Sequence, residues 1–171
     1  MTNRWKPNAT VAAIIERDGR FLLVEEHTPD GLRLNNPAGH LDDGESLIAA
    51  CVRETLEETL YAFAPQSLVG VYLSRVERPE RDHRATPSVT YLRFAFCGQL
   101  GDLQPDRVLD PGIVRTLWLT ADEVRCTQTL HRSPMVLRCV EDYLAGQRFG
   151  LSLLHTDLSV VGGVWPGTGA A

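Results

Sequence analysis

The sequence predicts an α/β protein: an α/β/α sandwich built on a mixed central β-sheet. Three observations carry that prediction. Apolar runs of strand length recur through the chain, two or three segments with helical periodicity or capping signals interrupt them, and no repeat or linker divides it. The 171 residues suit one compact domain over 1–171, with a core at about 8–148 and a loose Gly-rich tail at about 160–171.

Residues 10–16, rich in Val, Ala and Ile, predict the first strand. Asp18-Gly19 makes a turn, and residues 20–26, with Phe21-Leu22-Leu23-Val24, predict a second strand. Asp-Gly between two such runs is a hairpin signal. Pro29-Asp30-Gly31 is another turn, and residues 32–36 form a short strand leading into Pro37-Ala38-Gly39. A helix is expected from Glu45 to about Tyr61, with Ile48, Val52, Leu56 and Thr59 as its core-facing stripe. Residues 66–75 alternate as a strand does, and residues 77–87 are polar and loop-like. Residues 89–100, with Tyr91, Leu92, Phe94 and Phe96, form the strongest strand, and residues 113–119, containing Trp118, form a further one. Thr120-Ala121-Asp122-Glu123 has capping-box spacing. Ser133-Pro134 opens a last helix, with Ser at the cap and Pro in the first turn, ending near Gly146.

A net charge of −5 and a pI near 5.5 argue against bulk nucleic-acid binding, which favours a basic field. An anionic substrate therefore needs local help from a metal or a few arginines. No apolar run reaches the length of a membrane span. Cys51, Cys97, Cys126 and Cys139 show no Cys-x-x-Cys pairing and read as reduced, mostly buried thiols, so a cytoplasmic protein is expected.

The chemistry concentrates in residues 39–58. A loop with Pro37, Gly39, Asp42, Asp43 and Gly44 feeds the helix, and Glu54, Glu57 and Glu58 share one helical face within an arc of roughly 100°. A solvated acidic face is the plain alternative, but such faces usually interleave Lys, and this helix has none. Clustered carboxylates repel one another, and a hard divalent cation that binds several carboxylate oxygens removes the conflict.

The spacing of Gly39, Glu45, Arg53-Glu54 and Glu57-Glu58 resembles the box that marks the Nudix hydrolase family. The chain departs from that pattern at Thr55, where an aliphatic residue is usual, and at Leu60, where the family has glycine. Without that glycine the helix is expected to run on to about Tyr61 or Phe63 and stop before Pro65. The phrases Pro37-Ala38-Gly39-His40-Leu41, Leu92-Arg93-Phe94, Arg132-Ser133-Pro134 and Gly146-Gln147-Arg148 are similar to bacterial Nudix phosphatases acting on nucleoside tri- and diphosphates and thiamine-related pyrophosphates.

The resemblance implies the same fold and a hydrolase that attacks a phosphoanhydride bond with metal-activated water, using Mg2+ or Mn2+. Glu54, Glu57 and Glu58 are the expected metal ligands, with Gly39 and Asp110 beside them. Asp110 lies ahead of the strand with Trp118; Asp102 and Asp106 are its rivals, and a plain turn aspartate is the alternative. One of the three glutamates, or the later carboxylate, takes the water proton. Arg53 is expected to orient by pairing with Glu45 or Glu57.

Expected substrate contacts are His40, Arg93, Arg132 and Arg84. Arg93 interrupts the strongest strand, so it faces either solvent or the substrate. Arg132 precedes a helix start. Arg84 belongs to a basic patch with Arg78, Arg81 and His83, and Trp5 either stacks on a base or anchors packing. The expected partner is a small phosphorylated molecule, without membrane or bulk nucleic acid, and the protein is a monomer or homodimer. Two other functions remain open: a Nudix hydrolase of ADP-ribose, a dinucleoside polyphosphate or an oxidised nucleotide, and a Nudix-fold binding module without turnover.

Overall fold

A computed structural model describes residues 4–77 and 88–162. In chain order the elements are β1 (Asn8–Ile14), β2 (Glu16–Arg17), β3 (Arg20–Thr28), β4 (Gly31–Asn35), β5 (Ala38–His40), α1 (Leu47–Thr59), β6 (Tyr61–Val76), β7 (Val89–Leu103), β8 (Ile113–Thr120), α2 (Ala121–Cys126), α3 (Met135–Leu144) and β9 (Phe149–Gly150). One sheet runs β5-β1-β7-β6-β9, with β1 and β7 parallel and the other pairs antiparallel. In the second, β3 pairs with β2, β4 and β8.

Alternation along β1 and into Ile15, the residue after it, explains the layering. Val11, Ala13 and Ile15 pack with Ala50 and Cys51 of α1, while Ala12 and Ile14 pack with Val136, Cys139 and Val140 of α3. Helices therefore cover both faces of the mixed sheet, as the sandwich expectation requires. Phe21, Phe96, Leu22 and Leu23 are fully buried, and each such side chain contributes roughly 1.5–3 kcal/mol of burial free energy.

Several local expectations need correction. The first hairpin is split. Asp18 and Gly19 do turn with positive φ (53° and 74°), but only Glu16–Arg17 pairs with β3, while β1 crosses to pair with β5 and β7. β1 is buried on both faces, so it belongs in the central layer rather than in a two-stranded ribbon.

The buried face of α1 is also different: Ala50, Cys51, Thr55, Glu58 and Thr59 are buried, whereas Ile48, Val52 and Leu56 are only half-buried. Thr55 tolerates burial because its hydroxyl donates to the Cys51 carbonyl at 2.7 Å. The helix starts with the Ser46 hydroxyl accepting the Ala49 N–H at 3.1 Å.

The helix does not run past Leu60. Leu60 itself adopts the left-handed conformation (φ 63°), its N–H donates to Leu56, and its carbonyl accepts from Gln104 at 2.8 Å. β6 begins at the next residue, so the chain must reverse there. A non-glycine residue accepts that conformation at roughly 1–2 kcal/mol. α3 begins at Met135 with Pro134 as its cap residue, and no side chain caps it, so Ser133 does not cap as expected. The thiols are free, with Cys126 exposed and the other three buried. No helix among the described residues is long and apolar enough to cross a membrane.

Candidate active site

β5 delivers the loop glycine to the glutamate helix. It is pinned to β1 at Val11↔Gly39, and flanking bonds from Ala13 N–H to Pro37 O (2.8 Å) and from Leu41 N–H to Ala9 O (3.1 Å) fix its ends. The Gly39 backbone lies so close to Glu54 that a Cβ there would overlap the carboxylate. Glycine is required for that approach. Next to it, the Ala38 N–H donates to Glu58 at 2.8 Å.

Arg53 ties the acidic residues together. Its Nε and Nη2 donate to the two oxygens of Glu45 (3.1 and 2.7 Å), Nη2 also to the His40 carbonyl (3.0 Å), and Nη1 to Glu54 (2.9 Å) and Glu57 (3.0 Å). Its five N–H donors thus meet five acceptors, a match to the planar guanidinium fork. Sequence reasoning anticipated Glu45 or Glu57 as partner; the structure supplies both and adds Glu54. The hydrogen bond from Arg53 holds the Glu45 carboxyl below its ordinary range, helped by the Asp42 N–H. Glu45, chiefly, raises the Arg53 pKa further.

Glu54 and Glu58 behave differently. Burial raises the Glu54 pKa, against the lowering contact with Arg53. Burial pushes Glu58 up to about 8, with Glu26, Glu54 and Asp110 adding like charge against the Ala38 hydrogen bond. Asp110 is exposed. Its N–H docks on the Glu57 carbonyl at 3.0 Å, and its charge acts on both Glu54 and Glu58.

Glu26 is a member of this group that sequence reasoning missed. Strand alternation puts Glu25 and Glu26 on opposite faces of β3: Glu25 pairs with Arg115, while Glu26 lines the cleft and accepts from Asn35 at 3.2 Å, and the β3–β8 register shifts beside them by passing over Val114 of β8. Nothing local in the sequence says which face of β3 borders the glutamate helix.

Glu26, Glu54 and Glu58 open into a cleft of about 660 Å³, also lined by Gly39, His40, Arg93, Arg132, Thr10, Asn35 and Ser133. Arg93 is buried rather than solvated, and burial lowers its pKa. Arg132 stands 4.0 Å from Glu26, held by its N–H to the Leu34 carbonyl (2.8 Å). His40 is exposed at the rim near Tyr91. Glu45, Glu57 and Arg53 lie outside the cleft lining, and Trp5 is exposed. Arg84, with Arg78, Arg81 and His83, lies outside the described residues. A second depression of about 620 Å³ on the β6–α3 side holds Tyr72, Arg138 and Gln147, each of which donates to the Asp142 carboxylate.

Among the described residues, no three carboxylates already stand close enough to form a cation cage. The donor set still suits a hard divalent cation: it is all oxygen, partly desolvated and mutually repulsive, with a glycine backbone against it. Chemically, the arrangement joins an acidic group able to hold a cation with a cationic, hydroxyl-bearing inner end able to hold an anion.

Comparison with known proteins places this geometry. The model of the NUDIX domain matches residues 5–139. The chain is 34% identical over 150 residues to phosphatase NudJ of Escherichia coli (strain K12), covering 88% of this chain and 92% of that protein. A NUDIX hydrolase structure from Nitrosomonas europaea is 49% identical, covers 89% of this chain and 98% of its own, and has a TM-score of 0.77. A MutT NUDIX hydrolase from Burkholderia pseudomallei, at 22% identity and a TM-score of 0.61 over 81% of this chain and 98% of its own, shares the fold.

Proposed function

This chain belongs to the NUDIX family and is a pyrophosphohydrolase, and from that premise we propose that it hydrolyses a phosphoanhydride bond of nucleoside tri- or diphosphates or of thiamine-related pyrophosphates, with Mg2+ or Mn2+ as cofactor. The observation that carries the reading is the face of Glu45, Glu54 and Glu57 tied by Arg53, with Glu54 against Gly39 and Glu58 beside it. The resemblance to phosphatase NudJ over 88% of the chain supports release of phosphate as the reaction.

Glu54, Glu57 and Glu58 would hold the metal, with the Gly39 backbone and Asp110 beside them. When bound, the metal neutralises the pyrophosphate oxygens and lowers the pKa of water. The protein's own residues supply the rest. Arg53 keeps Glu45, Glu54 and Glu57 in one orientation, which removes rotamer freedom from the acidic face before substrate arrives. One of the three glutamates, or Asp110, takes the proton of the attacking water. Arg93, Arg132 and His40 bind the anionic chain along the cleft.

A substrate panel with Mg2+ tests this reading, with orthophosphate and pyrophosphate detected separately. ATP, ADP and thiamine diphosphate should be hydrolysed faster than ADP-ribose or a dinucleoside polyphosphate. A preference for ADP-ribose would overturn the substrate class. No turnover of any compound would make the protein a binding module.

A further inference from the structure

Among the described residues, buried polar atoms without a hydrogen-bond partner concentrate in the cleft. Among the described residues, five buried side-chain polar atoms have no hydrogen-bond partner: Thr10 Oγ1, Asn36 Oδ1, Arg93 Nε, Arg93 Nη1 and Ser133 Oγ. Four of these five belong to residues lining the cleft. Native proteins leave few such groups, and each one calls for a cause. Here they are grouped, and all four can donate.

Register explains the grouping. Thr10 on β1 is paired directly with Arg93 on β7, so the two side chains share one face of the sheet. Ser133 arrives from the other side, because the chain before α3 is pinned to Leu34 at the end of β4. Thr10 and Arg93 are each 6% exposed and Ser133 8%. Among the described residues Nη2 has a long contact, 3.4 Å to Asn35, and Cys139 lies against the guanidinium, while Nε and Nη1 have no hydrogen-bond partner.

The walls of the cleft give it a direction. Pro29, Asp30, His40 and Glu77 at its mouth are exposed, whereas Thr10, Asn35, Arg93 and Ser133 are buried. Asn35 joins this inner end to the acidic group, since it also donates to Glu26. A ligand atom at Arg93 therefore lies next to the carboxylates. Given the phosphoanhydride reading above, on which this step rests, that atom belongs to a phosphoryl group.

We propose that Thr10, Arg93 and Ser133 form a closed phosphoryl subsite that admits the free terminal phosphate of a substrate and excludes chains substituted at both ends. A terminal phosphoryl group presents three non-bridging oxygens to these four donors. An internal phosphodiester presents two, and must also lead chain out on both sides, which a closed end does not allow. The organic group then points toward the mouth.

The test is binding of orthophosphate, titrated by calorimetry with Mg2+ present into the full chain and into Thr10→Val, Ser133→Ala and Arg93→Lys. Each hydroxyl deletion should weaken orthophosphate binding by roughly three- to tenfold, and Arg93→Lys by tenfold or more. KM for ATP should rise in parallel, and ADP-ribose should be turned over at least about tenfold more slowly than ATP by the parent protein. If Arg93→Lys fails to fold, the two hydroxyl variants decide the matter. Unchanged orthophosphate affinity in both would overturn the subsite, as would equal turnover of ATP and ADP-ribose. The binding readout stands apart from catalysis, so orthophosphate bound through these residues without hydrolysis of any anhydride would count against the proposed function and not against the subsite.

Discussion

Replacing Glu58 with Gln should stabilise the protein when divalent metal is chelated, and the gain should grow with pH. Glu58 is 8% exposed, and its pKa is pushed from 4.5 up to about 8, chiefly by burial. Its folded-state pKa lies above its unfolded one. Its favourable contribution is therefore complete below the unfolded value and is lost as pH rises toward the folded value. For one site shifted this far, the cost of carrying the carboxylate is about 2 kcal/mol near pH 6 and about 4 kcal/mol near pH 8. The Gln amide removes both costs and keeps an acceptor for the Ala38 N–H. The assay is urea unfolding in excess EDTA at both pH values, for the parent and E58Q. The stability difference between them should widen by about 2 kcal/mol from pH 6 to pH 8. A difference that is constant with pH, or E58Q less stable throughout, would refute the argument.

Two further substitutions probe the frame around the site. Arg53→Ala should lower kcat/KM by roughly 10- to 100-fold in steady-state kinetics with Mg2+. Arg53→Lys should recover only part of that loss, because an ammonium has three donors for the five acceptors around Arg53; parent-like activity in Arg53→Lys would contradict the tie. Leu60→Gly should relieve the left-handed backbone (φ 63°) and raise Tm by about 1–4 °C in thermal unfolding with unchanged kcat. A lower Tm would show that the Leu60 side chain contributes more by packing than its backbone costs.

The sequence disclosed the acidic face because helical spacing is local: Glu54, Glu57 and Glu58 sit where 3.6-residue periodicity puts them. Arg93 was legible too, as a charge inside the most apolar strand. What stayed hidden depends on distant partners. Alternation separates Glu26 from Glu25, but which of the two borders the cleft is set by how β3 packs between β4 and β8. The roles of Thr10 and Ser133 appear only once β1 lies beside β7 and the chain before α3 is anchored at β4. The stripe of α1 was misjudged because the sheet, not the most apolar residues, decides which helix face is covered, and back-bonding lets Thr55 occupy that face. The end of α1 was misjudged because glycine favours the left-handed cap but is not a condition for it.

The central claim is that hydrolysis depends on a divalent metal held by the face of Glu54, Glu57 and Glu58. Phosphate release from ATP, followed with Mg2+, with excess chelator, and in Glu57→Gln with Mg2+, tests it most directly. The account predicts loss of turnover in chelator and a fall of roughly 100-fold or more in Glu57→Gln. Undiminished phosphate release in chelator, or in Glu57→Gln, would contradict it.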